Sequence, residues 1–168
     1  LVALSEHYVP GWHLIGSVMD TLSISTINTT PDSSICLPFF HWAGERLNYQ
    51  PTYVIEQSYG HWMAVLQECD LDVESTLKKS PHVVQKHSMS DSEWTIPLTV
   101  SVDDSTRDVI YLGTKENATD YLDYNIDLLN PPAAPGMFDA FFQINHVLFS
   151  NLTADFRADT SKHISWHL

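Results

Sequence analysis

Residues 117–142, NATDYLDYNIDLLNPPAAPGMFDAFF, limit the choice of fold more than any other part of the chain. Pro131, Pro132 and Pro135, with Gly136 beside them, forbid a helix and force an extended crossing. Just before them Asp120, Asp123 and Asp127 crowd together, an arrangement that needs either a cation or several backbone donors. The flanking segments read as β-strand, so this stretch is expected to be a long connection between two sheet edges.

Hydrophobic alternation extends the β reading along the chain. Trp94, Ile96, Leu98, Val100 and Val102 alternate with Thr95, Pro97, Thr99, Ser101 and Asp103, as on a half-buried strand. Pro97 falls on the outward set and predicts an edge position. SYGHWMAVLQE places Trp62, Ala64 and Leu66 on one face and His61, Met63 and Val65 on the other. GWHLIGSV and ICLPFFHWAG are also strand-like, separated by Gly-, Pro- and Ser-rich turns. The expected fold is all-β: a small β module over 1–69, a connector over 70–93, and an antiparallel β-sandwich of jelly-roll or Ig-like type over 94–168. A helix at 73–79 and a strand at 82–85 are weakly patterned within the connector.

Composition narrows the partners. With 43% hydrophobic and 17% charged residues the chain is globular in character. Its net charge of −13 disfavours nucleic acid and anionic membrane surfaces, since there is no basic patch to release counterions. No apolar run reaches the roughly 18–20 residues of a membrane span, so no membrane insertion is expected. The N-terminal segment lacks a basic region and reads as a mature or trimmed end.

Several residue groups could carry chemistry. Asn117, Asp120, Asp123 and Asp127 offer hard oxygen ligands suited to Ca²⁺, without the spacing of an EF-hand. The competing reading is that these carboxylates cap turns, with Asp155 or Asp139 pairing to Arg157 or Arg107. Cys36 and Cys69 are either a disulfide, contributing roughly 3–4 kcal/mol by chain entropy, or two free buried thiols. The nine histidines show no metal-binding spacing, and His41 and His61, each preceding a Trp, read as packing partners of an aromatic layer. Trp12, Phe39, Phe40, Trp42, Tyr49, Tyr53, Tyr59 and Trp62 either fill a core or form a carbohydrate-stacking platform. Asn28, Asn117 and Asn151 head N-glycosylation sequons. No pattern positions a nucleophile, so no enzymatic activity is expected.

The segments GWHLIGSV, SISTINTTPD, FFHWAGERLNY and IEQSYGHWMAV resemble a repeated module of large secreted bacterial surface proteins, found in Bacteroidetes and related groups. That module has a Gly-Trp-Asn-Leu-Ile opening and a Pro-Gly-x-Gly-Tyr-Trp-Val close. Here His13 replaces the Asn and Gln57-Ser58 replaces the Pro-Gly. WTIPLTVSV, the 111–142 stretch, LTADFRAD and ISW resemble the β-sandwich module that often follows it. The resemblance implies export to the cell surface, in association with type IX secretion, and an adhesive or scaffolding role. The leading expectation is an extracellular structural subunit that polymerises with copies of itself by strand exchange. Val2, Leu4, Ile164, Trp166 and Leu168, in apolar alternating segments near both ends, would supply the contact. The alternative is a monomeric carbohydrate-binding or adhesion module of a larger surface protein.

Overall fold

The computed structural model describes residues 5–16, 21–44, 48–73, 94–104, 106–124, 126–146 and 148–158. The all-β expectation holds: among the described residues the only helical segment is a 3-10 turn at Ile24–Thr26. No helix there is long and apolar enough to cross a membrane. The chain divides into two compact units, 1–86 and 87–168.

The first unit contains β1 (Ser5–Tyr8), β2 (Gly11–Gly16), β3 (Leu22–Ser23), β4 (Ile27–Thr30), β5 (Ile35–Ala43), β6 (Asn48–Thr52), β7 (Val54–Ile55), β8 (Gly60–Val65) and β9 (Cys69–Val73). They form a three-stranded sheet β1-β9-β4, a four-stranded sheet β2-β8-β5-β6 and a small β3-β7 pair. The two larger sheets bury their facing sides against each other. Phe39, Met63 and Val65 come from one sheet, and Ile27, Cys69 and Leu71 from the other. This is the two-layer solution available to sheets with one apolar face each.

The connector assigned to 70–93 begins too early. Residues 70–73 complete β9, which is the central strand of its sheet, pairing Ser5–Tyr8 on one side and Ile27–Thr30 on the other. Its CDLDV alternation turns Cys69 and Leu71 into the core while Asp70 stays exposed. The two aspartates carry half of that pattern and mask a strand whose apolar half is fully committed. Val73, the first residue of the helix expected at 73–79, ends β9 instead; the rest of that helix and the strand expected at 82–85 lie outside the described residues.

The second unit contains β10 (Trp94–Ser101), β11 (Arg107–Thr114), β12 (Leu128–Leu129), β13 (Phe142–Gln143) and β14 (Asn151–Arg157). They make one sheet in the order β10-β11-β14-β12, with β13 also paired to β14. The β11–β14 pairing is parallel, joining Tyr111–Thr114 to Ala154–Arg157. Parallel neighbours need a long crossover, and residues 115–150 supply it. The proline-rich stretch therefore links adjacent strands of one sheet rather than two sheet edges, and lends β12 and β13 to that sheet. Ile110, Leu128, Phe142, Phe149, Leu152 and Phe156 are among the buried residues of this unit.

β10 lies at an edge of this sheet, as Pro97 predicts. Its apolar row is less covered than the alternation suggests: Ile96 is 47% exposed, and Val102, beyond the strand, is 70% exposed. An edge strand has one neighbour, so its side chains have half the lateral cover of a central strand. β11 approaches β10 closely at Gly113, where an added Cβ would collide with the Trp94 carbonyl and press on the Phe156 ring. Gly113→Ala is expected to cost about 1–3 kcal/mol by overpacking. A lowered urea midpoint with an unchanged slope would register it, and an unshifted midpoint would contradict it.

Candidate functional site

The acidic loop is closed by protein donors. Asp123 accepts hydrogen bonds from the Thr119 backbone N–H (2.6 Å) and hydroxyl (2.9 Å). Asp127 accepts from the backbone N–H groups of Asp123 (2.8 Å) and Phe156 (2.9 Å), pinning the loop to β14. Asp120 pairs with the Arg157 guanidinium at 2.9 Å, and the same guanidinium grips Asp155 through Nε and Nη2. Asn117 sits exposed in a left-handed conformation, φ 64. Of the four calcium candidates, Asn117, Asp120, Asp123 and Asp127, the three carboxylates do not form a group of mutually close ligand atoms among the described residues, and their contacts are those of the capping alternative. Burial pushes the Asp127 carboxyl up to about 7, with Asp155 and Asp123 adding to the rise and its two N–H donors opposing it.

The cysteines do not form the disulfide considered above. Cys36 and Cys69 are both free and buried, on strands of different sheets. Cys69 belongs to the core between the sheets, whereas Cys36 shares a face with Ala64 on the other side of the four-stranded sheet. Burial pushes the Cys36 thiol up to about 12, which leaves it unreactive. Of the sequon asparagines, Asn117 is exposed, while Asn28 on β4 and Asn151 at the start of β14 are half-buried. Val2, Leu4, Ile164, Trp166 and Leu168 lie outside the described residues.

Two features of the first unit go beyond these expectations, and both come from the register of β2, β8, β5 and β6. Residues paired directly across antiparallel strands share a face. The pairs Trp12↔Ala64, Leu14↔Trp62, Phe40↔Trp62 and Trp42↔Tyr49 thus put these side chains together on the side turned away from the core. Trp12 meets Phe40 and Trp62 edge-on, at interplanar angles of 69° and 81°, and Trp42 meets Tyr49 at 77°. The Trp62 indole N–H donates to the Tyr49 hydroxyl at 2.9 Å. Phe40 is buried beneath this layer, the four other rings are half-buried, and Leu14 is 64% exposed. Of the aromatic residues singled out in the sequence, only Phe39 and Tyr53 join the core cluster, and Tyr59 is exposed.

The second feature lies on the opposite face. His41 and His61 are a directly opposed pair on β5 and β8 and do not belong to the aromatic layer. Their rings are 5.9 Å apart, and Glu56, just after β7, brings its carboxylate 3.6 Å from His41 Nδ1. The ligand atoms of His41, Glu56 and His61 all lie within 4.8 Å of one another. His61 is fully buried and accepts a hydrogen bond from the Glu56 N–H at Nε2, whereas the buried Nδ1 of His41 has no hydrogen-bond partner. Burial pushes the His61 pKa down, toward the neutral ring. The signal for this cluster was present: Phe39-x-His41 and His61-x-Met63 each put the histidine in step with a core residue. Finding it needs the β5–β8 register, which depends on an irregularity between Cys36 and Phe40.

The fold defines an all-β protein with two units, one of them a two-layer sandwich with an aromatic outer face. Comparison with family models, curated proteins and solved structures gives no match in any of the three.

Proposed function

We propose that the chain is a non-catalytic pair of β modules from an exported cell-surface protein, and that copies of it associate through the aromatic outer face of the four-stranded sheet. One observation carries this reading. The side of that sheet turned away from the core bears Trp12, Leu14, Trp42, Tyr49 and Trp62 where a solvated sheet face would bear polar residues. The resemblance to modules of secreted surface proteins supports the location and the structural role. Strand exchange through Val2, Leu4, Ile164, Trp166 and Leu168 lies outside the described residues, and the aromatic face is the contact that the described residues offer.

Ring geometry favours a protein partner over a sugar. Stacking on pyranose faces needs flat, exposed rings in a row, whereas these rings meet edge-on and are half-buried. Edge-to-face packing makes a ridged surface, suited to interlocking with side chains. A second copy meets it with the same net charge of −13, so the apolar contact has to work against repulsion.

Leu14→Glu tests the proposal by sedimentation velocity. The side chain is exposed in the single chain, so folding should be little affected, while association should weaken at least about tenfold, or 1.4 kcal/mol. Equal sedimentation of variant and wild type would overturn the face contact. Saturable quenching of tryptophan fluorescence by a neutral glycan, without any assembly, would favour the carbohydrate-binding alternative.

A further inference from the structure

We propose that His41, Glu56 and His61 form a binding site for a divalent d-block cation, zinc in the first instance, on the inner side of the sheet that carries the aromatic face. The ligand set is two imidazoles and one carboxylate, the set found in many three-ligand zinc centres. It is a poor set for Ca²⁺ or Mg²⁺, which take oxygen shells.

Geometry supports the assignment at three points. His41 Nδ1 and the Glu56 carboxylate stand 3.6 Å apart, too far for a hydrogen bond. Two ligands each about 2.0–2.2 Å from one ion subtend a separation of roughly 3.3–3.6 Å at angles near tetrahedral. The ligand atoms of the full set lie within 4.8 Å of one another. Second, His41 Nδ1 is buried with no hydrogen-bond partner, a cost that native interiors rarely carry without a reason. Third, the site reaches solvent on one side: His61 is fully buried, but the Glu56 side chain is 43% exposed.

The backbone organises this trio before any ion arrives. His41 and His61 are locked opposite each other by the β5–β8 ladder. Glu56 is held by the tight turn that follows it, where Tyr59 N–H donates to the Glu56 carbonyl at 3.4 Å and Ser58 takes φ 68. Ser58 stands where the resembling module has glycine. His61 Nε2 accepts a 3.4 Å hydrogen bond from the Glu56 N–H, which ties the ring to the same turn until an ion displaces it.

The test uses the full chain stripped with a chelator and titrated with Zn²⁺ by calorimetry, with Co²⁺ absorption reporting coordination. His61 is too buried to replace safely, so the variants are His41→Ala and Glu56→Gln, both at partly exposed positions, with folding checked by circular dichroism. A control removes His7, which pairs with Glu68 and Asp70 on the surface and could hold metal adventitiously. The expected result is one Zn²⁺ per chain, a tetrahedral Co²⁺ spectrum, at least about a hundredfold weaker binding in each site variant, and no change in His7→Ala. Excess Ca²⁺ should not displace the zinc. No binding at micromolar zinc, or binding that either site variant leaves intact, would overturn the site. Binding that His7→Ala abolishes, or that Ca²⁺ displaces, would do the same.

Discussion

Arg157→Ala is expected to destabilise the second unit by about 3–5 kcal/mol, the loss that follows removal of one partner from a buried ion pair. Asp155 is 2% exposed and receives Nε and Nη2 of this guanidinium, the latter at 2.8 Å. Without Arg157 a buried carboxylate would remain beside Asp127 with its charge unmatched. The other arm of the same guanidinium carries a different weight. Asp120 is 86% exposed, so solvent screens its contact, and Asp120→Ala should cost no more than about 1 kcal/mol. Urea denaturation of the two variants measures both. Equal losses would mean that the buried pair contributes no more than a surface pair, contrary to this account.

Between pH 5 and pH 8 the second unit is expected to become less stable as pH rises, through Asp127. Its folded carboxyl titrates at about 7, well above the ordinary value of 3.8. The folded state therefore holds a proton that the unfolded chain gives up. The resulting stability is complete below about pH 4 and is lost as pH rises through 7. Three pH units of difference correspond to about 4 kcal/mol. Asp127→Asn removes the titration, so its melting temperature should lie on a flatter line over this range than that of the wild type. Parallel lines would contradict the assignment. The cost of replacing one acceptor opposite the Asp123 and Phe156 N–H groups shifts the whole line and not its slope.

What the sequence made legible follows from the range of each signal. Alternation is local, and it identified β8, β10 and the all-β class directly. The edge position of β10 was legible because a single residue, Pro97, carries it. β9 was missed at residues 70–73 because a strand with one acidic and one apolar face looks like a polar linker when only its charges are counted. The parallel β11–β14 pairing had no local signal at all, since it joins residues about forty positions apart. The same limit applies to sites. Asp155 and Arg157 are two residues apart, and their pairing was among the alternatives read from the sequence. His41, Glu56 and His61 meet only once two strands and a turn are in register, and no spacing rule for metal ligands covers that case. The acidic loop shows a related limit: a sequence displays carboxylates but not the N–H groups that reach them.

Self-association through the aromatic face is the central claim, and sedimentation equilibrium of the wild-type chain across a wide concentration range, at low and high salt, tests it most directly. An apolar contact between chains of charge −13 should give a mass that grows with concentration, and grows more steeply once salt screens the repulsion. A single monomer mass at every concentration and both salt levels would contradict it.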